Sequence, residues 1–92
     1  MLGGMNMASK ERLKSDIADI AKRPNNVEYE EIERILRQLG SGDPKKTKHG
    51  YLFTIPGCEK RLMINRHSDG RNKIPKYCVQ DFCHRMAEIE LL

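Results

Sequence analysis

The side chain best suited to chemistry in this sequence is His49, which closely follows Lys45, Lys46 and Lys48. A histidine can accept and donate protons near neutral pH, and ammonium groups stabilise the negative charge that develops when a phosphodiester is cleaved. The cluster therefore suits acid–base chemistry on a ribose phosphate. In a strand, His49 would lie on the same face as the apolar residues that alternate after it. An alternative is therefore that His49 is a structural residue that caps the core face of a strand.

A second histidine, His67, lies in a polar segment between Arg66 and Arg71 that also contains Gly70. Two guanidinium groups and a glycine turn could hold phosphates or approach His49. A solvated turn explains the same residues without any function, and both interpretations stay open.

The cysteines and carboxylates argue against a metal. Cys78 and Cys83 lie five residues apart on a predicted helix, so they point about 140° apart, and no Cys-x-x-Cys pair is present. We expect Cys83 to be a core residue and all three thiols to be reduced, since their number is odd. Only Glu59 and Asp69 are acidic within the basic segment, so we expect a metal-independent mechanism without a cofactor.

Positive charge is concentrated in one part of the 92-residue chain, whose net charge is +4. Residues 1–40 are neutral, whereas residues 44–76 contain nine Lys/Arg against two Asp/Glu. Concentrated charge of this kind attracts polyanions, but it does not distinguish RNA from DNA, from an acidic protein or from a merely solvated face. The sequence has no apolar run long enough to span a membrane and no signal peptide, so we expect a cytoplasmic protein.

Periodicity predicts the elements that must position these residues. A first helix begins with Ser9 as N-cap and ends before Pro24, and a second follows Asn26 and stops at Gly40. Alternation predicts a strand over 50–56 and its hairpin partner over 61–65, with a short edge strand over 45–48. A last helix begins near Pro75. This order predicts an α+β fold, with a small antiparallel sheet of three strands and helices packed on one face.

The segment 25–88 resembles the HicA-type toxins of bacterial toxin–antitoxin systems. The matching features are Asn25-Asn26-Val27 before an acidic helix that ends Leu39-Gly40, Lys48-His49-Gly50-Tyr51-Leu52-Phe53, Asn65-Arg66-His67, Gly70, Lys73-Ile74-Pro75 and Tyr77-Cys78-Val79. The resemblance implies a double-stranded-RNA-binding-domain-like fold over residues 25–92, with residues 1–24 as an extension that contains an extra helix. It also implies a HicB-like antitoxin partner.

The resemblance assigns the catalytic role to His49, although Thr47-Lys48 stands where the family usually has Gly-Ser. The first hypothesis is therefore an mRNA interferase, an endoribonuclease that cleaves mRNA and inhibits translation. The residues expected to bind RNA are Lys46, Lys48, Arg66, Arg71, Lys73 and Lys76. The alternatives are a non-catalytic RNA-binding module of the same fold and a basic protein-interaction domain.

Overall fold

The computed structural model describes residues 7–65 and 73–92, with side chains from Lys10 onward. The elements follow the predicted order: α1 (Met7–Lys22), α2 (Tyr29–Gln38), β1 (Lys45–Lys46), β2 (Gly50–Phe53), β3 (Leu62–Asn65) and α3 (Lys76–Glu88). The predicted α+β class is thereby confirmed. The predicted polar loop with Arg66, His67 and Arg71 lies outside the described residues.

The three strands form an antiparallel sheet in the order β1-β2-β3. Register places Lys46 opposite Tyr51, and Tyr51 opposite Ile64, while Phe53 pairs with Leu62. Opposed residues share a face in an antiparallel pair, and Phe53, Leu62 and Ile64 are buried. The helices pack on this apolar face, where α3 contacts β3.

The strands are shorter than alternation predicts. The ladder of β2 ends at Phe53, although Ile55 remains buried two residues later. A turn begins there, with the Cys58 amide donating to the Ile55 carbonyl at 3.0 Å. Periodicity therefore detected the buried face of the chain but not the point where backbone pairing stops.

The helix at the N-terminus belongs to the same core as the rest of the chain. Leu13, Ile17 and Ile20 are buried among the residues of α2, α3 and the sheet, and α1 packs against α3. Helix α1 begins at Met7, so Ser9 lies inside it and the predicted N-cap is wrong. Among the described residues, no helix has the length and apolar character needed to cross a membrane.

Helix α3 faces the sheet with a different cysteine from the one predicted. Cys78 is completely buried, whereas Cys83 is only partly buried at the edge of the core. The buried stripe of α3 consists of Cys78, Val79, Phe82 and Met86. The backbone amide of Asn65 lies 3.4 Å from Cys78 Sγ, so the end of β3 contacts the first turn of α3 at this buried cysteine.

Candidate nucleic-acid interface

His49 lies in the tight turn that joins β1 to β2. The Thr47 amide donates to the Gly50 carbonyl at 2.8 Å, which leaves Lys48 and His49 as the two residues at the tip. Both side chains are exposed. His49 therefore does not cap the core face, which was the alternative that its strand parity left open.

The hydroxyl of Thr47 organises this turn. Its Oγ1 accepts from the amides of His49 and Gly50, at 3.3 Å and 3.2 Å, and lies 3.1 Å from the Gly50 carbonyl. A threonine side chain that forms hydrogen bonds to the backbone in this way stabilises a turn where no strand pairing is present. Thr47 thus orders the backbone of the turn that carries Lys48 and His49.

Gly50 ties the turn closely to β3. A Cβ added to Gly50 would lie 2.3 Å from the Ile64 carbonyl oxygen and 2.8 Å from the Asn65 Cα. Its φ of 157° is also one that other residues rarely adopt. Only glycine allows the turn that carries His49 to approach the neighbouring strand this closely.

Exposed lysines lie in this turn and on the neighbouring strand and helix. Lys45 and Lys46 form β1 at the sheet edge, Lys48 lies in the turn, and Lys76 begins α3. All four are exposed, and none forms an ion pair with another described residue. Within the part of the chain that the structure describes, no carboxylate therefore neutralises their charges.

Lys73 is brought toward the same end of the sheet by backbone pairing with the segment that precedes α2. Lys73 forms an isolated antiparallel bridge with Glu28, and the Ile74 amide donates to the Val27 carbonyl at 3.0 Å. Glu28 precedes Tyr29, whose ring centroid lies 5.0 Å from that of Tyr51, two residues after His49. We call the exposed residues collected here the His49 surface: Lys45, Lys46, Lys48, His49, Lys73, Lys76 and Tyr77.

Tyr77 and Asn65 are members of this region that sequence reasoning did not assign to the site. Asn65 pairs with Gly50, and its side-chain amide donates a hydrogen bond to the Tyr77 hydroxyl. The Tyr77 side chain is nevertheless 54% exposed. The available signal was its position in the first turn after Pro75, outside the apolar stripe of α3. Arg66, His67 and Arg71, which were expected near this site, lie outside the described residues.

The thiols are poorly suited to nucleophilic or metal chemistry. Burial raises the pKa of all three cysteines, most directly for Cys78 and Cys83 inside or beside the core. A thiol with a raised pKa is mainly protonated at neutral pH, and the thiolate is the reactive form. Within residues 10–65 and 73–92, no group of three or more His, Cys, Asp or Glu residues is arranged to hold a metal ion.

A separate polar groove lies between α1 and α2, and none of its lining residues belongs to the His49 surface. Arg23 crosses it and pairs with Asp19 at 2.8 Å and with Glu31 at 2.5 Å. The hydrogen bonds from Arg23 lower the pKa of the Glu31 carboxyl. These contacts join the two helices, so the polar residues of the groove have a structural role in holding α1 and α2 together.

No family model, curated protein or solved structure matches this chain. The interpretation of the His49 surface therefore depends on its own geometry.

Proposed function

We propose that this chain is a metal-independent endoribonuclease, the toxin of a HicA-type toxin–antitoxin system that cleaves mRNA and inhibits translation. The observation that carries the proposal is the exposed His49 in an ordered turn, with exposed lysines in the turn and in the adjoining β1 that have no ion pairs to other described residues. A proton-transfer group and cations that can bind phosphate are the two requirements of ribose-phosphate cleavage.

The proposed reaction uses the 2′-hydroxyl of the RNA as its nucleophile. His49 accepts the hydroxyl proton as the 2′-oxygen bonds to phosphorus, and then returns a proton to the departing 5′-oxygen. The products are a 2′,3′-cyclic phosphate and a 5′-hydroxyl, so the step consumes neither water nor an external reactant. Lys46 and Lys48 stabilise the charge that develops on the phosphate oxygens. Lys73 and Lys76 bind the adjoining backbone, together with Arg66 and Arg71.

The proposed fold is similar to that of double-stranded-RNA-binding domains. The support is a three-stranded antiparallel sheet with helices on one face, here extended by α1. A surface rich in lysine suits contacts with the phosphates of RNA. The resemblance further suggests cytoplasmic action and a HicB-like antitoxin that covers the His49 surface with acidic groups.

Replacing His49 tests the catalytic role directly. We expect His49→Ala to reduce RNA cleavage by about 10²- to 10⁴-fold, the usual contribution of a general acid or base. The matched control is His84→Ala, since His84 is also exposed but lies on α3 outside the His49 surface. Growth arrest and mRNA integrity are followed after expression without antitoxin, and cleavage is then measured with purified protein. Equal cleavage by wild type and His49→Ala would overturn the proposal.

The purified protein also distinguishes the alternatives. Cleavage should persist in EDTA and leave a 2′,3′-cyclic phosphate, and loss of cleavage in EDTA would contradict the metal-independent mechanism. Salt-sensitive RNA binding without cleavage would identify a non-catalytic RNA-binding module instead. Failure to bind RNA at low salt would favour a domain that docks an acidic protein.

A further inference from the structure

We infer that Tyr77 is a stacking platform for an unpaired nucleobase next to the phosphate held by His49, so that the substrate is single-stranded RNA. This inference rests on the proposed function, because it concerns the RNA that would occupy the His49 surface. It adds a base contact to a site whose other members contact phosphate.

Tyr77 differs from the other aromatic residues of the chain in its exposure. Tyr29, Phe53 and Phe82 are buried, and Tyr51 packs partly buried against the core. Tyr77 is 54% exposed, although its helix has a complete apolar stripe without it. The core therefore does not account for an aromatic side chain at this position.

The ring of Tyr77 is anchored instead of free. Asn65 donates to its hydroxyl from the end of β3, while the other amide atom of Asn65, Oδ1, is buried with no hydrogen-bond partner among the described residues. Anchoring at the hydroxyl leaves the ring face accessible and reduces the entropy lost when a ligand stacks on it. This arrangement holds an aromatic surface ready for a planar ligand.

The position of Tyr77 relates it to His49. Asn65 is the Cα partner of Gly50, and Gly50 directly follows His49 in the chain. Tyr77 is therefore linked to the His49 turn through one hydrogen bond and one pair of opposed residues. A strand of RNA that places a phosphate at His49 can direct a neighbouring base toward this ring.

The charges around Tyr77 favour a nucleic acid over an apolar partner. Lys76 precedes it in α3, and Lys73 lies at the bridge to α2, with both side chains exposed. Lysines that bind the backbone beside an aromatic ring that stacks a base are the usual components of single-strand recognition. Bases within a duplex are already stacked, so the same ring has no use for double-stranded RNA.

Fluorescence provides a specific test because the chain contains no tryptophan. Tyr77→Trp introduces the chain's single tryptophan, which can be excited separately from Tyr29 and Tyr51, and the His49→Ala background prevents cleavage of the RNA during the titration. We expect a short single-stranded RNA to quench it strongly, and inorganic polyphosphate, a polyanion without bases, to leave it nearly unchanged. The control is Leu92→Trp, at a residue 50% exposed near the C-terminus, which should respond to neither. Equal quenching of Tyr77→Trp by RNA and polyphosphate would overturn the stacking role.

Affinity measurements separate the ring from its hydroxyl. We expect Tyr77→Leu to weaken single-stranded RNA binding by about 5- to 150-fold, and Tyr77→Phe to retain most of the affinity because it keeps the ring. Circular dichroism checks that each variant is folded. Equal weakening by both substitutions would show that the bond to Asn65 matters instead of the ring, and unchanged binding by Tyr77→Leu would exclude stacking.

The two proposals fail differently in these experiments. If the wild type does not cleave RNA but Tyr77→Trp shows base-dependent quenching, the proposed ribonuclease activity is rejected and the stacking role of Tyr77 is retained. If cleavage depends on His49 but is unaffected by Tyr77→Leu, the stacking role of Tyr77 is rejected and the proposed ribonuclease activity is retained.

Discussion

Gly50 is the residue where the backbone geometry of the candidate site is most restrictive. Because a Cβ would lie 2.3 Å from the Ile64 carbonyl oxygen, Gly50→Ala must displace β2 from β3. We expect a loss of about 1–3 kcal/mol in the free energy of unfolding, together with reduced RNA cleavage, because His49 moves with the strand. Urea unfolding and cleavage assays measure the two effects.

The control for Gly50 is Gly42→Ala. Gly42 also has a positive φ, 70°, but an added Cβ would meet no atom within 4 Å. Gly42→Ala therefore measures the effect of backbone strain on the free energy of unfolding without a steric clash. We expect this variant to keep its RNA cleavage activity. Equal losses of activity in the two variants would contradict the role of Gly50 in positioning His49.

At the scale of single residues, the sequence indicates candidates for chemistry but not their contacts. His49 was selected for its residue type, its neighbouring lysines and the resemblance to HicA-type toxins, and its catalytic role stays a prediction. The close approach at Gly50 could not be selected, since it depends on the register of β2 with β3. Tyr77 was missed for a related reason: its anchor, Asn65, lies 12 residues away in another element.

At the scale of elements, Glu31 connects α1 to α2 and also stabilises the start of α2. Its carboxylate accepts from the Glu28 amide at 2.9 Å and pairs with Arg23. Because these bonds lower the folded-state pKa of Glu31 below its ordinary value near 4.5, its contribution to stability is complete above that value. The contribution is lost as the pH falls through the lower, folded-state pKa.

We expect Glu31→Gln to reduce the free energy of unfolding by up to about 1 kcal/mol at neutral pH, because the amide can still accept from Glu28 but no longer pairs its charge with Arg23. Below the folded-state pKa of Glu31, the difference from wild type should shrink, since wild-type Glu31 is then also uncharged. Urea unfolding across this range measures both. Glu30→Gln is the control, because Glu30 is exposed in the same turn and has no ion pair to another described residue. A pH-independent difference for Glu31→Gln would show that the ion pair contributes nothing.

The sequence determines the order of the elements more clearly than their ends or rotations. Apolar periodicity predicts all three helices and the hairpin, because each must bury one face. The end of β2 depends on pairing with a partner strand, which alternation alone does not determine. The choice between Cys78 and Cys83 depends on how α3 rotates against β3 when its apolar stripe is buried.

At the scale of the whole molecule, charge is divided between a neutral part, residues 1–40, and a basic part that contains the His49 surface. Arg23 and Arg37 in the neutral part pair with carboxylates, whereas the described lysines of the His49 surface have no ion pair to another described residue. Composition predicted where the positive charge would lie. The closeness of Lys45, Lys46 and Lys48 to His49 is also visible in the sequence, whereas the placement of Lys73 beside Glu28 depends on the fold.

This division of charge leads to a prediction for the salt dependence of RNA binding. Each phosphate neutralised on a single strand contributes about −0.7 to the slope of the logarithm of the binding constant against the logarithm of the salt concentration. The six proposed RNA-binding residues therefore predict a slope of about −4. Lys48→Ala should reduce the magnitude of that slope by about 0.7, because it removes one phosphate contact at the turn. Lys22→Ala is the control, since Lys22 is exposed at the end of α1 in the neutral part. Fluorescence anisotropy of labelled RNA, measured in the His49→Ala background, gives both slopes. If Lys48→Ala and Lys22→Ala change the slope equally, RNA is attracted by net charge alone and does not bind the His49 surface.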